Sequence, residues 1–142
     1  MILLHWDEGC EPVYQSEHSV AADVCSRVDV VIPAQSRAQV PTGLRIARVL
    51  WDEVPHGMIP ELQIRARSGL AYKSGINLSN GVGTIDADYP DEIAVLLSNT
   101  SQDDFQIRKG ERIAQIALNL CVRIPELSVR GKRLGGFGST GY

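Results

Sequence analysis

Aromatic residues are scarce in this chain, 6% of its 142 positions, so the interior has to be built from Val, Ile, Leu and Ala rather than around large rings. Cysteine is scarcer still. Cys10, Cys25 and Cys121 are odd in number, far apart and outside any Cys-x-x-Cys spacing. That pattern argues against a disulfide framework or a zinc site and points to free thiols in a reducing compartment. Positive charge is in deficit, with a net charge of −3, so the chain as a whole has no general attraction for nucleic acid or an anionic membrane. A phosphate-binding role would need its cations gathered locally. No apolar run approaches the length that spans a bilayer. The opening Met1-Ile2-Leu3-Leu4-His5-Trp6-Asp7 has no basic leader and turns acidic early, so no signal peptide is expected. His5, His18 and His56 are too scattered to form a ligand set, and structural or surface roles are expected of them.

What is present reads as one globular domain: 44% apolar and 22% charged residues, in a chain too short for two comfortable domains. Strand patterns dominate. Val28–Ile32 is β-branched and closed by Pro33; Leu44–Val49 alternates apolar and polar after an expected turn at Pro41-Thr42-Gly43; Leu62–Arg65 alternates too. The run from Glu92 to Leu97 is apolar after its acidic start, and Arg112–Val122 is expected to be a strand pair or one long bent strand. Turn signals fall between them at Asn80-Gly81, Tyr89-Pro90-Asp91, Asp103-Asp104 and Lys109-Gly110. Many short strands at such spacing mean a sandwich or barrel. One short helix is expected, capped by Ser68, running through Leu70, Ala71 and Tyr72, and ended by Gly75. Composition shifts once, near Arg130, where a basic and then glycine-rich tail begins, with too little apolar surface to order itself.

Four segments carry residue types suited to chemistry. Asp86 and Asp88 lie two apart on a strand running into a turn, which places both carboxylates on one face. An isolated Asp-x-Asp is more often a solvated turn; the functional alternative is a general base with a supporting acid. Arg67-Ser68-Gly69 opens the helix with a guanidinium, a hydroxyl and an unobstructed backbone, a set suited to phosphate, although an ordinary cap beside a surface arginine looks the same. Gln115 is an amide inside an apolar run and needs partners. The tail sets Phe137, Ser139 and Thr140 among glycines beside Lys132-Arg133, giving a backbone able to approach a ligand, an aromatic face and two hydroxyls.

Five segments, in order and over nearly the whole chain, resemble the five motifs of the homotrimeric dUTPases: Val20–Val24, Ala66–Ala71, Asn80 with Gly83–Glu92, Gly110–Gln115 and Gly135–Gly141. The resemblance implies an all-β subunit, a jelly-roll-like distorted β-barrel with one short helix, that assembles as a homotrimer with its sites between subunits. Residues 1–130 would form the barrel, and residues 131–142 a flexible glycine-rich arm closing over an active site. The activity implied is hydrolysis of dUTP to dUMP and pyrophosphate, which limits uracil in DNA and supplies dUMP, in a cytoplasmic setting. Asp86 would activate the attacking water. Arg67, Ser68, Gly69 and Gln115 would hold phosphates, and Asp23 would meet Mg²⁺ through water. Asn80, Gly83 and the backbone at Thr84 and Ile85 would read uracil, Tyr89 would floor the deoxyribose, and Phe137, with Gly138, Ser139 and Thr140, would close over the nucleotide.

Three positions depart from the family pattern. Ala21 replaces a preferred glycine. Tyr89-Pro90-Asp91-Glu92 lacks the glycine expected at position 91, which leaves that turn's geometry open. Lys132-Arg133-Leu134 replaces an Arg-Gly pair, so Lys132, Arg133 and Arg130 all compete as the phosphate clamp. A dCTP deaminase shares the fold without the closing tail, and a nucleotide-gated regulatory binding protein is the alternative from another class.

Overall fold

A computed structural model describes residues 1–133 and residue 135. Ten strands and one short helix follow in order: β1 (Ile2–Trp6), β2 (Ala22–Cys25), β3 (Val30–Ile32), β4 (Arg37–Val49), β5 (Met58–Arg65), α1 (Ser68–Ser74), β6 (Ile76–Leu78), β7 (Gly83–Asp86), β8 (Ile93–Asn99), β9 (Phe105–Ile107) and β10 (Arg112–Val122). They form two four-stranded sheets, β1-β4-β8-β6 and β2-β10-β5-β7, and a ribbon of β3 with β9. The strand pairs are antiparallel, and the arrangement is jelly-roll-like. No helix among the described residues is long and apolar enough to cross a membrane.

The core is aliphatic, as the shortage of aromatics requires. Val24, Ile32, Val40, Leu44, Ile64, Ile76, Ile93, Val95, Leu97, Ile107 and Ile113 are fully enclosed, Tyr89 is buried with them, and Phe105 packs against them half-buried. Period-two alternation sorts each strand. In β5, Leu62 and Ile64 point inward while Glu61, Gln63 and Arg65 form a hydrogen-bonded ladder on the outer face, Gln63 donating to Glu61 at 2.6 Å and Arg65 to Gln63 at 2.9 and 3.2 Å. The run from Arg112 to Val122 is a single strand, bonded to β2 along its first part and to β5 from Gln115 onward.

Two local expectations are corrected. Pro41-Thr42-Gly43 is not a turn ahead of a strand but a bulge inside β4. Pairing with β8 jumps from Pro41↔Ala94 to Leu44↔Ile93, leaving Thr42 and Gly43 extra on β4. Proline has no N–H for the ladder, and the bulge accommodates it. Thr42 then repairs the ladder, its hydroxyl donating to the Ile93 carbonyl and accepting from Leu44 N–H at 3.2 Å. Ser68 does not cap the helix. Arg67 holds the extended N-cap position, Ser68 is the first helical residue, and no side chain makes the cap bond. The C-terminal expectation holds: Gly75 is left-handed at φ 66° and its N–H reaches the Leu70 carbonyl.

Gly43 has φ 76°, and a Cβ there would fall 2.8 Å from Cys10 Sγ and 3.2 Å from Arg27 Cδ. Gly43→Ala is therefore expected to cost about 1–3 kcal/mol of folding free energy. Urea denaturation measures it, and an unchanged midpoint would show that the bulge relaxes freely.

Candidate functional site

The candidate residues within one chain fall into two groups. The first is built on β2, β10 and the approach to α1. Asp23 is central in β2, its carboxylate only 11% exposed, and a buried carboxylate needs compensating charge. It receives two guanidiniums, Arg67 Nε at 3.2 Å and Arg112 Nη1 at 3.0 Å. Arg67 Nη1 also donates to the Arg112 carbonyl at 2.9 Å, which locks the start of α1 to the start of β10. Gln115 sits between Asp23 and Arg65 in register, and its amide donates to the Ala66 carbonyl at 2.9 Å, so the odd polar residue of the apolar run has its partner. Beside Gly69 the space is open. The result is a cation-rich ledge in a chain of net negative charge.

The second group lies at the far edge of the same sheet. β7 brings Gly83, Thr84 and Ile85 opposite Ile64, Gln63 and Leu62 of β5 and ends at Asp86. Gly83 lies so close to Ile64 that an added Cβ would meet Ile64 Cβ at 3.0 Å, and the Asn80 amide nitrogen would be 3.6 Å away. Asp86 and Asp88 project into solvent, with side chains 57% and 63% exposed. Between them stands Arg133, its Nη1 2.5 Å from Asp86 and 3.7 Å from Asp88, and its guanidinium 5.3 Å from the centre of the Tyr89 ring. Such stacking of a guanidinium on a ring face is favourable. Tyr89 is buried, its N–H closes a turn on the Asp86 carbonyl at 3.0 Å, and burial, then nearby Asp91, raises its phenol above the usual range. Asp91 does not have a positive φ, so a glycine is not needed there for backbone reasons. Of the three candidate clamps, Arg133 makes these contacts, while Arg130 and Lys132 are exposed. Phe137, Gly138, Ser139 and Thr140 lie outside the described residues.

The two groups do not meet within one chain. β2 and β7 are opposite edges of the sheet, three strand spacings apart, and Asp86 opposes Glu61, four residues along β5 from Arg65. At about 4.8 Å per strand spacing and 3.4 Å per residue, Asp23 and Asp86 stand roughly 20 Å apart. A hollow of about 350 Å³ opens beside Asn80, but Arg37, Gln39 and Leu96 line it with Ser79 and Asn80, so it is formed by the other sheet and lacks Ile85 and Tyr89. Among the described residues no cluster of three or more acids, cysteines or histidines could hold a metal ion by itself.

Sequence reasoning assigned no role to Arg112 or Glu92. Both sit within motif-like segments, but the partners that give them purpose are remote, 89 residues away for Arg112 and 65 for Glu92.

The sequence model of the dUTPase family matches residues 8–141. The chain belongs to the dUTPase family. It is 43% identical over 139 residues to a deoxyuridine 5'-triphosphate nucleotidohydrolase of Nautilia profundicola, covering 94% of this chain and 92% of the relative. It is also 43% identical over 142 residues to the enzyme of the same name from Rickettsia bellii, covering 92% and 86%. Among solved structures, a dUTPase from Streptococcus mutans superposes with a TM-score of 0.74 at 24% identity, covering 85% of this chain and 97% of that one, a likeness of fold. A mutant dUTPase from phage phi11 of S. aureus, whose structure shows the coordination of a structural Mg(II) ion, has a TM-score of 0.71 at 18% identity, covering 92% and 97%.

Removing the Asp23 carboxylate leaves Arg67 and Arg112 facing each other without an anion. Asp23→Ala is expected to lose about 1–3 kcal/mol of stability, less than a fully buried pair would because Arg112 is half exposed. Thermal and urea melts test it. Wild-type stability in this variant would mean the two guanidiniums are held apart by other contacts.

Proposed function

We propose that this protein hydrolyses dUTP to dUMP and pyrophosphate, with water attacking the α-phosphorus. The observation that carries the reading is the pairing of an exposed Asp86 carboxylate with a buried Tyr89 ring at the end of β7, in a chain of this family. Asp86 orients the water and takes its proton as the new P–O bond forms, and the bond to the departing pyrophosphate breaks in line. Tyr89 lies under the deoxyribose and leaves no room for a 2′-hydroxyl. Asn80, Gly83 and the backbone at Thr84 and Ile85 read the uracil edge. Arg67, Gln115, the Ser68 hydroxyl and the backbone at Gly69 hold phosphate oxygens, where charge-assisted bonds offset the polyanion's charge. Arg133, now on Asp86 and Tyr89, has to leave the nucleoside's place when substrate arrives, and phosphate offers its guanidinium another anion. Lys132 adds charge nearby. Phe137, Gly138, Ser139 and Thr140 close over the bound nucleotide.

A divalent ion suits this donor set in one way. Mg²⁺ commonly keeps several waters and is carried by substrate phosphates with one or two carboxylates, so it does not need a three-ligand cage, and none occurs among the described residues. Asp23 would meet the ion through water. When bound with the triphosphate, Mg²⁺ supplies charge neutralisation on the phosphate oxygens.

The distance between the two groups favours a site shared between copies. A separation of roughly 20 Å across the sheet exceeds the reach of a triphosphate, so Asp86 of one copy would serve phosphates held by Asp23, Arg67 and Gln115 of another. Leu118, Leu120, Val122, Ile124, Leu127 and Val129 are exposed apolar residues near the C-terminal end of the described chain, and such surface normally finds a partner. The reading requires more than one copy, and we take the assembly to be the homotrimer of the dUTPase family, in the cytoplasm.

Purified protein incubated with dUTP, dCTP and dTTP should release pyrophosphate from dUTP alone and deaminate none of them. Asp86→Asn keeps the shape but not the proton acceptor and should lower turnover roughly 10²- to 10⁴-fold while nucleotide binding is retained. Near-normal turnover in that variant would remove Asp86 from its role. Light scattering should report three times the 15.5 kDa chain mass, and an active monomer would overturn the shared site.

A further inference from the structure

The turn between β7 and β8 is held by side chains more than by its backbone. Residues 87–92 include Pro90, which has no N–H to donate, and the Tyr89 N–H to the Asp86 carbonyl is the backbone bond that closes it. Asp86 itself is anchored by pairing opposite Glu61, whereas Tyr89 follows in the turn with its ring against the core and its hydroxyl reaching back to the chain at Glu92. At its far end, immediately before β8, stands Glu92, whose side chain is only 19% exposed.

Glu92 collects donors from two separate stretches of chain, Arg27 and the Gly43–Arg45 part of β4. Its Oε1 accepts from Arg27 Nε at 2.9 Å and from the backbone N–H of Gly43 at 2.7 Å. Its Oε2 accepts from Arg27 Nη2 at 3.1 Å and Arg45 Nη2 at 3.4 Å. Asp7 completes the cluster, 3.3 Å from Arg45 and 3.8 Å from Arg27, so two acids face two guanidiniums. The Arg27 fork on one carboxylate fixes direction as well as distance. The other partners are held independently: Arg27 N–H bonds the Pro41 carbonyl at 2.9 Å, and Gly43 belongs to the bulge of β4, with its carbonyl taking the Asp7 N–H at 3.0 Å. Finally, the Glu92 carbonyl accepts the Tyr89 hydroxyl at 3.4 Å. The acid thus joins the ring to a rigid corner of the other sheet.

We propose that Glu92 is a positioning residue that sets the height of the Tyr89 ring and thereby the discrimination between deoxyribose and ribose. The proposal rests on the reading of Tyr89 as the sugar floor. Because Asp86 has its own anchor in the β5 ladder, loosening Glu92 disturbs sugar selection more than water activation. That separates it from a residue that merely stabilises the fold, whose loss would lower the active fraction equally for both substrates.

The test is Glu92→Gln in the full-length assembled protein. The amide keeps the size and one acceptor, but in either orientation its Nε2 would point a donor at the Arg27 guanidinium, and at the Gly43 N–H or Arg45 beside it. Two readings are taken. The ratio of kcat/KM for dUTP to that for UTP should fall at least tenfold, while kcat for dUTP falls less than that. Hydrogen–deuterium exchange should show the Tyr89 amide exchanging at least tenfold faster, with β10 amides unchanged. If Glu92→Gln does not fold, Arg27→Lys removes the fork from the other side and should move both readings in the same direction. An unchanged substrate ratio in a folded variant overturns the proposal, whatever happens to the rate, and so does unchanged exchange at Tyr89. A wild-type protein that does not hydrolyse dUTP would instead sink the functional reading, leaving exchange at Tyr89 to decide whether Glu92 holds the turn.

Discussion

Eight consecutive pairs join β10 to β5, from Gln115↔Arg65 to Val122↔Met58, and the rest of the site depends on that register. Side chains alternate across a sheet, so this ladder sends Ile64, Leu62 and Ile116 into the core and leaves Arg65, Gln63, Glu61, Gln115 and Asn119 outside. β2 and β7 then attach to its two sides and inherit the same choice: Asp23 aligns with Gln115, and Asp86 with Glu61. A slip of one residue would turn each of these carboxylates toward the aliphatic interior. The hydrophobic pattern that folds the protein therefore also puts its acids on the polar face of the sheet, Asp86 exposed and Asp23 covered by its two arginines.

Charge is organised by local pairing rather than by an overall field. Asp23 is met by Arg67 and Arg112, Glu92 by Arg27 and Arg45, Asp86 by Arg133. The three pairings differ in what they permit. Those of Asp23 and Glu92 join parts of the frame that are far apart in sequence. The contact of Arg133 with Asp86 joins the C-terminal segment to an acid that keeps more than half of its side chain in solvent, unlike the covered Asp23 and Glu92. A net charge of −3 is thus no obstacle to handling a polyanion, because the guanidiniums are placed one by one.

Local signals made the all-β class, the single helix with its glycine end, and the family legible. Alternation in Leu62–Arg65, the β-branched run ending at Pro33 and the turn pairs between strands are all properties of neighbouring residues. What escaped was decided by distant ones. The bulge at Thr42 and Gly43 looks like a turn until β8 is laid beside it, and only then does the Thr42 hydroxyl find the Ile93 carbonyl. Ser68 has every mark of a cap, yet the ties of Arg67 to Asp23 and to the Arg112 carbonyl draw the preceding residue into that position. Strands such as β6 and β9, three residues each, are too short to carry a period of their own. Glu92 is unremarkable as one acid in an acidic turn, and its meaning comes from an arginine 65 residues earlier.

Placing Asp23 and Asp86 at opposite margins of one sheet separates two quantities that coincide in most small enzymes. The aliphatic core lies within each chain. Under the proposed shared site, catalysis is a property of the encounter between copies and obeys mass action. Dilution that parts the copies would then leave half-sites, Asp23 with its guanidiniums in one place and Asp86 in another, and specific activity would fall with concentration.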